Sequence, residues 1–416
     1  MTSSLTCRFC HAPLNEVFVD LGTTPLANTY LTAAQLQQPE LVLPLCCYVC
    51  SACLLVQLPS LETPEHIFSD YAYFSSYSDS WLEHARLFCQ TAIERFRIDS
   101  SHLVMEIASN DGYLLRNFVA AGVPVLGIEP AANVAVVAQQ QGIPTLVRFF
   151  GRQLAQELVQ QGQQADLLIG NNVLAHVPDL NDFVAGLRLV LKPTGVLVME
   201  FPHLLQLMQH NQFDTIYHEH FSYFSFTTVR QIFAHHGLTL FDVEQVATHG
   251  GSLRIYACVT PQSESASAHA INARVELLLQ QERDAALHTL TPYQQFGQRA
   301  VQCRQQLRQM LTDLKSTGHR TVGYGAPAKG NTLLNYCGIG SDLIDYTVDR
   351  SPHKQGLFLP GSHLAILAPE QISVTKPDFV IILPWNLQQE IMTQLAFIRQ
   401  WGGQFIIPIP TATVLP

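Results

Sequence analysis

At 416 residues the chain exceeds an ordinary single domain and predicts two or three. Charged residues make up only 13%, and the formal net charge of −10 argues against the basic face that a nucleic acid or an anionic membrane requires. No apolar run approaches the ~20 residues that span a bilayer; MTSSLTCRFC lacks the basic start and apolar stretch of a signal peptide, so a soluble, cytoplasmic protein is expected.

The first 70 residues carry six of the ten cysteines. In a cytosolic chain that density points to metal before disulfides. Cys7-x-x-Cys10 and Cys50-x-x-Cys53 supply four thiolates, enough for a closed tetrahedral zinc site with no open position, hence structural. Cys46 and Cys47 leave an ambiguity, because Cys47-x-x-Cys50 has the same spacing. Cys50 and Cys53 are favoured because Cys53 runs straight into the strand-like LLVQL. Cys89, Cys258, Cys303 and Cys337 are scattered and read as core residues.

A serine- and tyrosine-rich loop with Tyr71, Tyr73, Ser76 and Tyr77 precedes the helical WLEHARLF. Strands and helices then alternate. LVMEIASN, VPVLGIEP, ADLLIGNN and VLVMEFP read as strands; DGYLLRNFVAAG, AANVAVVAQQQG and DLNDFVAGLRLVL read as helices; KPTG reads as a turn. The pattern predicts a doubly wound, mostly parallel sheet. The turn after the first strand discriminates between ligands. A dinucleotide site would show G-x-G-x-x-G, whereas Glu106-Ile-Ala108-Ser-Asn110-Asp-Gly112 has one glycine and an acidic start. An acidic loop suits a cationic, phosphate-free nucleoside, and S-adenosylmethionine fits that description. Glu129, followed by Pro130, ends the second strand where a carboxylate can accept from both ribose hydroxyls. Asn110 and Asp111 could equally cap the following helix. Asn171, Asn172 and His176 leave the third strand at its carboxyl end, where open sheets bind ligands.

Tyr217-His218-Glu219-His220 follows, with two imidazoles able to exchange protons near neutrality. A buried polar network is the plainer reading. Metal binding by His218 and His220 is the less favoured chemistry for this segment. In HGGSLR, Gly250 and Gly251 read as a turn, with Arg254 a candidate phosphate partner. A Gln-, Arg- and Leu-rich helical stretch covers roughly 270–317. A second α/β unit opens with TVGYGAPAKGNTLLNY and continues through the strands DYTVDRS, DFVIILP and GQFIIPIP, with a helix around NLQQEIMTQLAFIRQ. Gly323, Gly325, Lys329 and Gly330 are suited to a diphosphate, which alone would suggest NAD.

The CxxC pair, EIASNDGYLL, NNVLAHVPD, YHEHFSYFS, HGGSLR and GYGAPAKGN occur in one order that resembles the sugar C-methyltransferase family. Members of that family methylate ring carbons of nucleotide-linked keto-deoxysugars. The resemblance spans essentially the whole chain. It implies a small zinc-binding N-terminal domain (residues 1–70), a central Rossmann-like S-adenosylmethionine-dependent methyltransferase domain (71–265) and a helical linker with a C-terminal Rossmann-like α/β domain (266–416). It also implies that Tyr217, Glu219, His220 and a facing His176 are catalytic, and that Tyr71, Tyr73 and Ser76 close over the sugar. Lys329 and Asn331 would hold a nucleotide diphosphate, dTDP by family weight, with Arg350 near the base or ribose. The implied product is a C3-methylated 4-keto sugar. A monomer is admissible, and the oligomeric state is left open.

Making a carbon–carbon bond here requires an enolate, and His220 is the chosen base. Tyr217 and His176 would donate to the oxyanion, while Glu219 or a backbone group fixes the tautomer of His220. An NAD-dependent sugar-nucleotide oxidoreductase or epimerase is the alternative enzyme. A zinc-containing binding protein without activity is the third reading.

Overall fold

The computed structural model describes residues 5–63, 75–261 and 269–416. Three sheets organise it. The first is antiparallel, ordered Glu16–Pro25, Val42–Val49, Val56–Gln57 and Ser222–Tyr223. Its fourth strand comes from far along the chain, directly after the YHEH segment. The N-terminal unit is therefore bonded through its backbone to the middle of the polypeptide.

The second sheet runs Leu238–Val246, Ser252–Val259, Leu191–Pro202, Ala165–Asn171, Val104–Ile107, Val125–Ile128, Thr145–Leu146. The last five strands are parallel. All four residues of Val104–Ile107 are buried, as expected where helices cover both faces. The hairpin Leu238–Val259 adds an antiparallel edge that periodicity did not reveal. The third sheet, Ile366–Leu367, Thr347–Val348, Thr321–Tyr324, Phe379–Ile382, Gln404–Ile407, Thr413–Leu415, is parallel except for its last strand.

Several expectations need correction. KPTG is no separate turn but lies within the strand Leu191–Pro202. The register jumps from Ala165↔Leu191 to Leu167↔Val196, so residues 192–195 bulge out of the ladder, with Lys192 reaching Asp166 at 2.7 Å. The stretch 270–317 is two helices, Ala273–Asp284 and Thr291–Ser316. Ala286 takes a left-handed φ of 57° at the break, and a proline opens the second helix. DGYLLRNFVAAG is helical only over Leu115–Ala120. Asn110 and Asp111 do not cap that helix. They accept from Ser75 N at 2.9 Å and from Ser76 N and Oγ at 3.1 and 2.5 Å, holding the turn that leads into the helix Asp79–Phe96.

Among the described residues no helix is long and apolar enough to cross a membrane.

Candidate active site and zinc centre

The sulfurs of Cys7, Cys10, Cys50 and Cys53 all lie within 4.8 Å of one another. Cys7 and Cys53 are 3.6 Å apart, and Cys10 and Cys50 are 3.5 Å apart. Zinc at the usual ~2.3 Å from each of four sulfurs would separate them by ~3.8 Å, so the group fits the ion. Gln57 Nε2 donates to Cys7 Sγ at 3.2 Å, a supporting contact for a thiolate. Cys46 and Cys47 lie inside the strand Val42–Val49, and Cys47 is packed into the core, which resolves the ambiguity in favour of Cys50 and Cys53.

A cavity of about 500 Å³ lies at the carboxyl ends of the central parallel strands. Its wall is drawn from distant parts of the chain: Asn28 and Tyr30, then Ala108, Asn110, Glu129, Pro130, Asn171, Asn172 and His176, then Tyr217, His220 and His249, and last Lys329 and Lys354. At one end each Glu129 oxygen accepts one backbone amide, from Asn110 at 3.0 Å and Ala131 at 2.9 Å. A carboxylate has further acceptor capacity for a diol. Ala108 and Asn110 sit at φ of 56° and 50°, curling the loop over this end.

Two expected cofactor residues do not reach the cavity. Glu106 is fully buried beneath the loop, where burial and the neighbouring Glu129 push its pKa well up; its contact is Tyr113, which does line the wall. Gly112 turns the backbone at φ of 80°, and a Cβ there would fall 2.3 Å from Ile143 Cδ1. Close packing explains this glycine.

At the other end His220 Nδ1 lies 3.0 Å from Thr215 O, and its Nε2 lies 2.8 Å from the Tyr217 hydroxyl. A carbonyl can only accept, so Nδ1 carries the proton and Nε2 accepts from the phenol. The His176 ring stands edge-on at 4.7 Å between centroids. Burial holds the His220 pKa well below its ordinary value and lowers that of His176 to about 4, so both rings are neutral near pH 7. Glu219 does not touch His220. It accepts from Asn28 Nδ2 at 2.6 Å, and burial raises its pKa to about 7. The tautomer is set by the Thr215 backbone, the other option foreseen. His218 points away to Pro44 O at 3.2 Å. The four cysteines are the one grouping of potential metal ligands among the described residues.

Lys329 lies in the first turn of the helix Ala328–Cys337 and lines the cavity. It donates to Asn386 Oδ1 at 2.7 Å and sits 4.5 Å above the Trp385 ring. Asn331 does not reach the cavity, because its buried amide donates to Ala27 O at 2.6 Å. Arg350 is exposed, 3.8 Å from Glu390 and away from the cavity. Arg254 is occupied by the buried Glu200 at 3.0 Å, which rules it out as a phosphate partner. Gly250 and Gly251 do form a turn, at φ of 89° and 116°. Ser76 is held by Asp111; Tyr71 and Tyr73 lie outside the described residues.

Sequence reasoning missed Asn28, Tyr30, Trp81, His249 and Lys354. Tyr30 donates to Ala326 O at 2.6 Å, Lys354 donates to the same oxygen at 2.8 Å, and His249 lies 3.2 Å from Asn172 Nδ2. His249 stood inside a quoted motif, where its imidazole was the available signal.

Three family models match: a zinc binding domain over residues 7–68, a methyltransferase domain over 81–243 and a C-methyltransferase C-terminal domain over 247–410. The C-methyltransferase NovU of Streptomyces niveus is 35% identical over 410 residues, covering 98% of this chain and 96% of NovU. A ubiquinone biosynthesis O-methyltransferase of Rhodopseudomonas palustris (strain TIE-1) is 25% identical over 96 residues, 23% of this chain and 38% of its own. The crystal structure of magnesium protoporphyrin IX methyltransferase from Synechocystis PCC 6803 with bound SAH is 16% identical. It covers 42% of this chain and 82% of that one, with a TM-score of 0.34. None of these matches supports the oxidoreductase reading of the Gly323–Gly330 turn.

Proposed function

This chain belongs to the S-adenosylmethionine-dependent sugar C-methyltransferase family, and we propose that it methylates the carbon next to the ketone of a nucleotide-diphosphate 4-keto-deoxysugar, C3 of a dTDP-sugar by family weight. S-adenosylmethionine, when bound, supplies the electrophilic methyl group. Glu129, Asn110, Ala108, Pro130, Asn171 and Asn172 are the residues that would hold it.

His220 is the base. The observation that carries this assignment is its pair of hydrogen bonds, with Nδ1 fixed by Thr215 O and Nε2 facing the cavity beside Tyr217. When a keto-sugar enters, the Tyr217 hydroxyl turns from Nε2 to the substrate carbonyl, and the freed nitrogen takes the adjacent carbon-bound proton. The electron pair left on carbon delocalises onto the carbonyl oxygen, where Tyr217 donates; neutral His176 has one N–H, which the Glu219 backbone carbonyl takes, so its ring packs against His220 without donating. A neutral imidazole in a dry site is a weak base in isolation. It gains basicity here because the imidazolium forms beside an enolate. Lys329 is the cation offered to the anionic part of the substrate, and Ser76 belongs to the segment at the sugar side.

The test is solvent deuterium exchange at the carbon next to the ketone, run without S-adenosylmethionine. His220→Ala abolishes exchange while SAH affinity stays within about twofold of wild type, because a base acts on the reaction rather than on ground-state binding. Exchange that survives in this variant refutes the base assignment.

A further inference from the structure

Arg8 stands between the first two zinc-ligand cysteines, and we propose that it is a positioning residue for the methyl transfer, clamping the His176 loop against the His220 loop. The proposal rests on the roles given above to those two histidines. Four contacts carry it. Arg8 Nη1 donates to Pro178 O at 3.0 Å, two residues beyond His176. Nη2 donates to Leu58 O, and Leu58 N in turn donates at 3.0 Å to the carbonyl of Phe221, the residue after His220. The guanidinium carbon lies 5.5 Å from the Phe221 ring centroid. The backbone of Arg8 is fixed as well, by Gln57 Oε1 at 2.9 Å from its amide and by Asn181 Nδ2 at 3.2 Å from its carbonyl.

The two loops also meet directly, through Phe221 N to Ala175 O at 2.7 Å and through the His176 side chain against the Glu219 backbone carbonyl. The guanidinium adds a further brace, because its rigid fork presents two separated nitrogens to two carbonyls at once, a span that the single nitrogen of a lysine lacks. Zinc fixes Cys7 and Cys10, these fix Arg8, and Arg8 fixes the spacing of the histidine rings. The chain of contacts gives a closed metal site, with no coordination position for substrate, a purpose in an enzyme whose chemistry does not use the metal.

Arg8→Met keeps the apolar stem and removes the donors. With a full zinc complement and SAH affinity within about twofold of wild type, exchange at saturating keto-sugar falls about 100-fold, the cost of a misplacement near 1 Å. Exchange within about twofold of wild type in zinc-replete Arg8→Met overturns the proposal, since a packing role alone would not be felt at saturation. Should Arg8→Met lose zinc, Arg8→Lys replaces it. With a single nitrogen in place of the two-nitrogen fork, about a tenfold loss is expected, and an unchanged rate again overturns the proposal. If wild type exchanges no keto-sugar, the functional reading fails instead. The clamp is then judged by the NMR contact between the His176 and His220 rings in histidine-labelled protein: its loss in Arg8→Met supports the clamp, and its persistence refutes it.

Discussion

Glu219 shows what a sealed carboxyl does to the pH dependence of a fold. Only 5% of it is exposed, and its one hydrogen bond among the described contacts is from Asn28, so the neutral acid is favoured and the pKa rises to about 7. The sign follows from linkage. An acid whose folded pKa lies above its unfolded value near 4.5 binds its proton more tightly when folded. That contribution is complete below pH ~4.5 and is lost as pH rises through ~7. A rise from 4.5 to about 7 corresponds to roughly 3 kcal/mol. Glu219→Gln keeps the shape and cannot ionise. The stability of wild type relative to this variant should therefore decline by ~2–3 kcal/mol between pH 5 and pH 8, read from denaturant midpoints at each pH. A constant difference across that range would show that Glu219 is not protonated in the folded chain. His176, whose pKa is lowered to about 4, works in the opposite direction. Its neutral burial favours folding above pH ~6.5 and loses that contribution as pH falls toward 4.

At the scale of elements, the zinc knuckles hold a short strand that would not stand alone. Val56–Gln57 has two residues and is paired with Val42–Val49 on one side and Ser222–Tyr223 on the other. Cys53 begins this passage and Cys50 N closes on Leu55 O at 3.0 Å, so the metal fixes the strand from its start. Cys50→Ser should drop the zinc content and cost at least ~3 kcal/mol, a modest share of what structural zinc contributes to small domains. Metal analysis and thermal unfolding check it; full zinc occupancy with an unchanged midpoint would place the metal elsewhere. The cysteine pairs were legible in the sequence because metal ligation needs fixed local spacing. So was Val104–Ile107, where four core positions follow one another. The hairpin Leu238–Val259 was not, because FDVEQV mixes buried Asp242 with apolar neighbours; that aspartate is paired with Arg95 and Arg274, which no local pattern announces. In the site, Tyr217 and His220 were legible because both lie in one tetrapeptide. Asn28 was not, since its contact with Glu219 joins residues 191 positions apart. Asn331 was misassigned because spacing along a helix does not tell which face meets the cavity and which meets Ala27 O.

The whole molecule is held together across its three sheets, and Phe18 is where this can be measured. It is 1% exposed on the first strand and stacks on Phe296 of the long helix, with centroids 4.5 Å apart and planes at 4°; Tyr293 meets it edge-on at 6.2 Å. The same buried cluster continues through Leu307 and Leu311 to Val322, Val380 and Ile406 of the C-terminal sheet. A second cluster carries three of the four zinc-ligand cysteines, Cys7, Cys50 and Cys53, into the core of the central sheet. Two continuous cores of this kind predict that the N-terminal unit does not melt by itself. Phe18→Ala opens a cavity between the first sheet and the helix and should cost ~3–5 kcal/mol. Because the core is shared, zinc release and loss of tertiary structure should move together to lower denaturant in this variant and remain one transition. Simultaneous monitoring by a zinc indicator and near-ultraviolet circular dichroism distinguishes the cases. If zinc were released in an early separate step, with the rest unfolding at the wild-type midpoint, the N-terminal unit would be an appendage. The cavity walls supplied by Asn28 and Tyr30 would then have to form without it, which their position in the N-terminal unit does not allow.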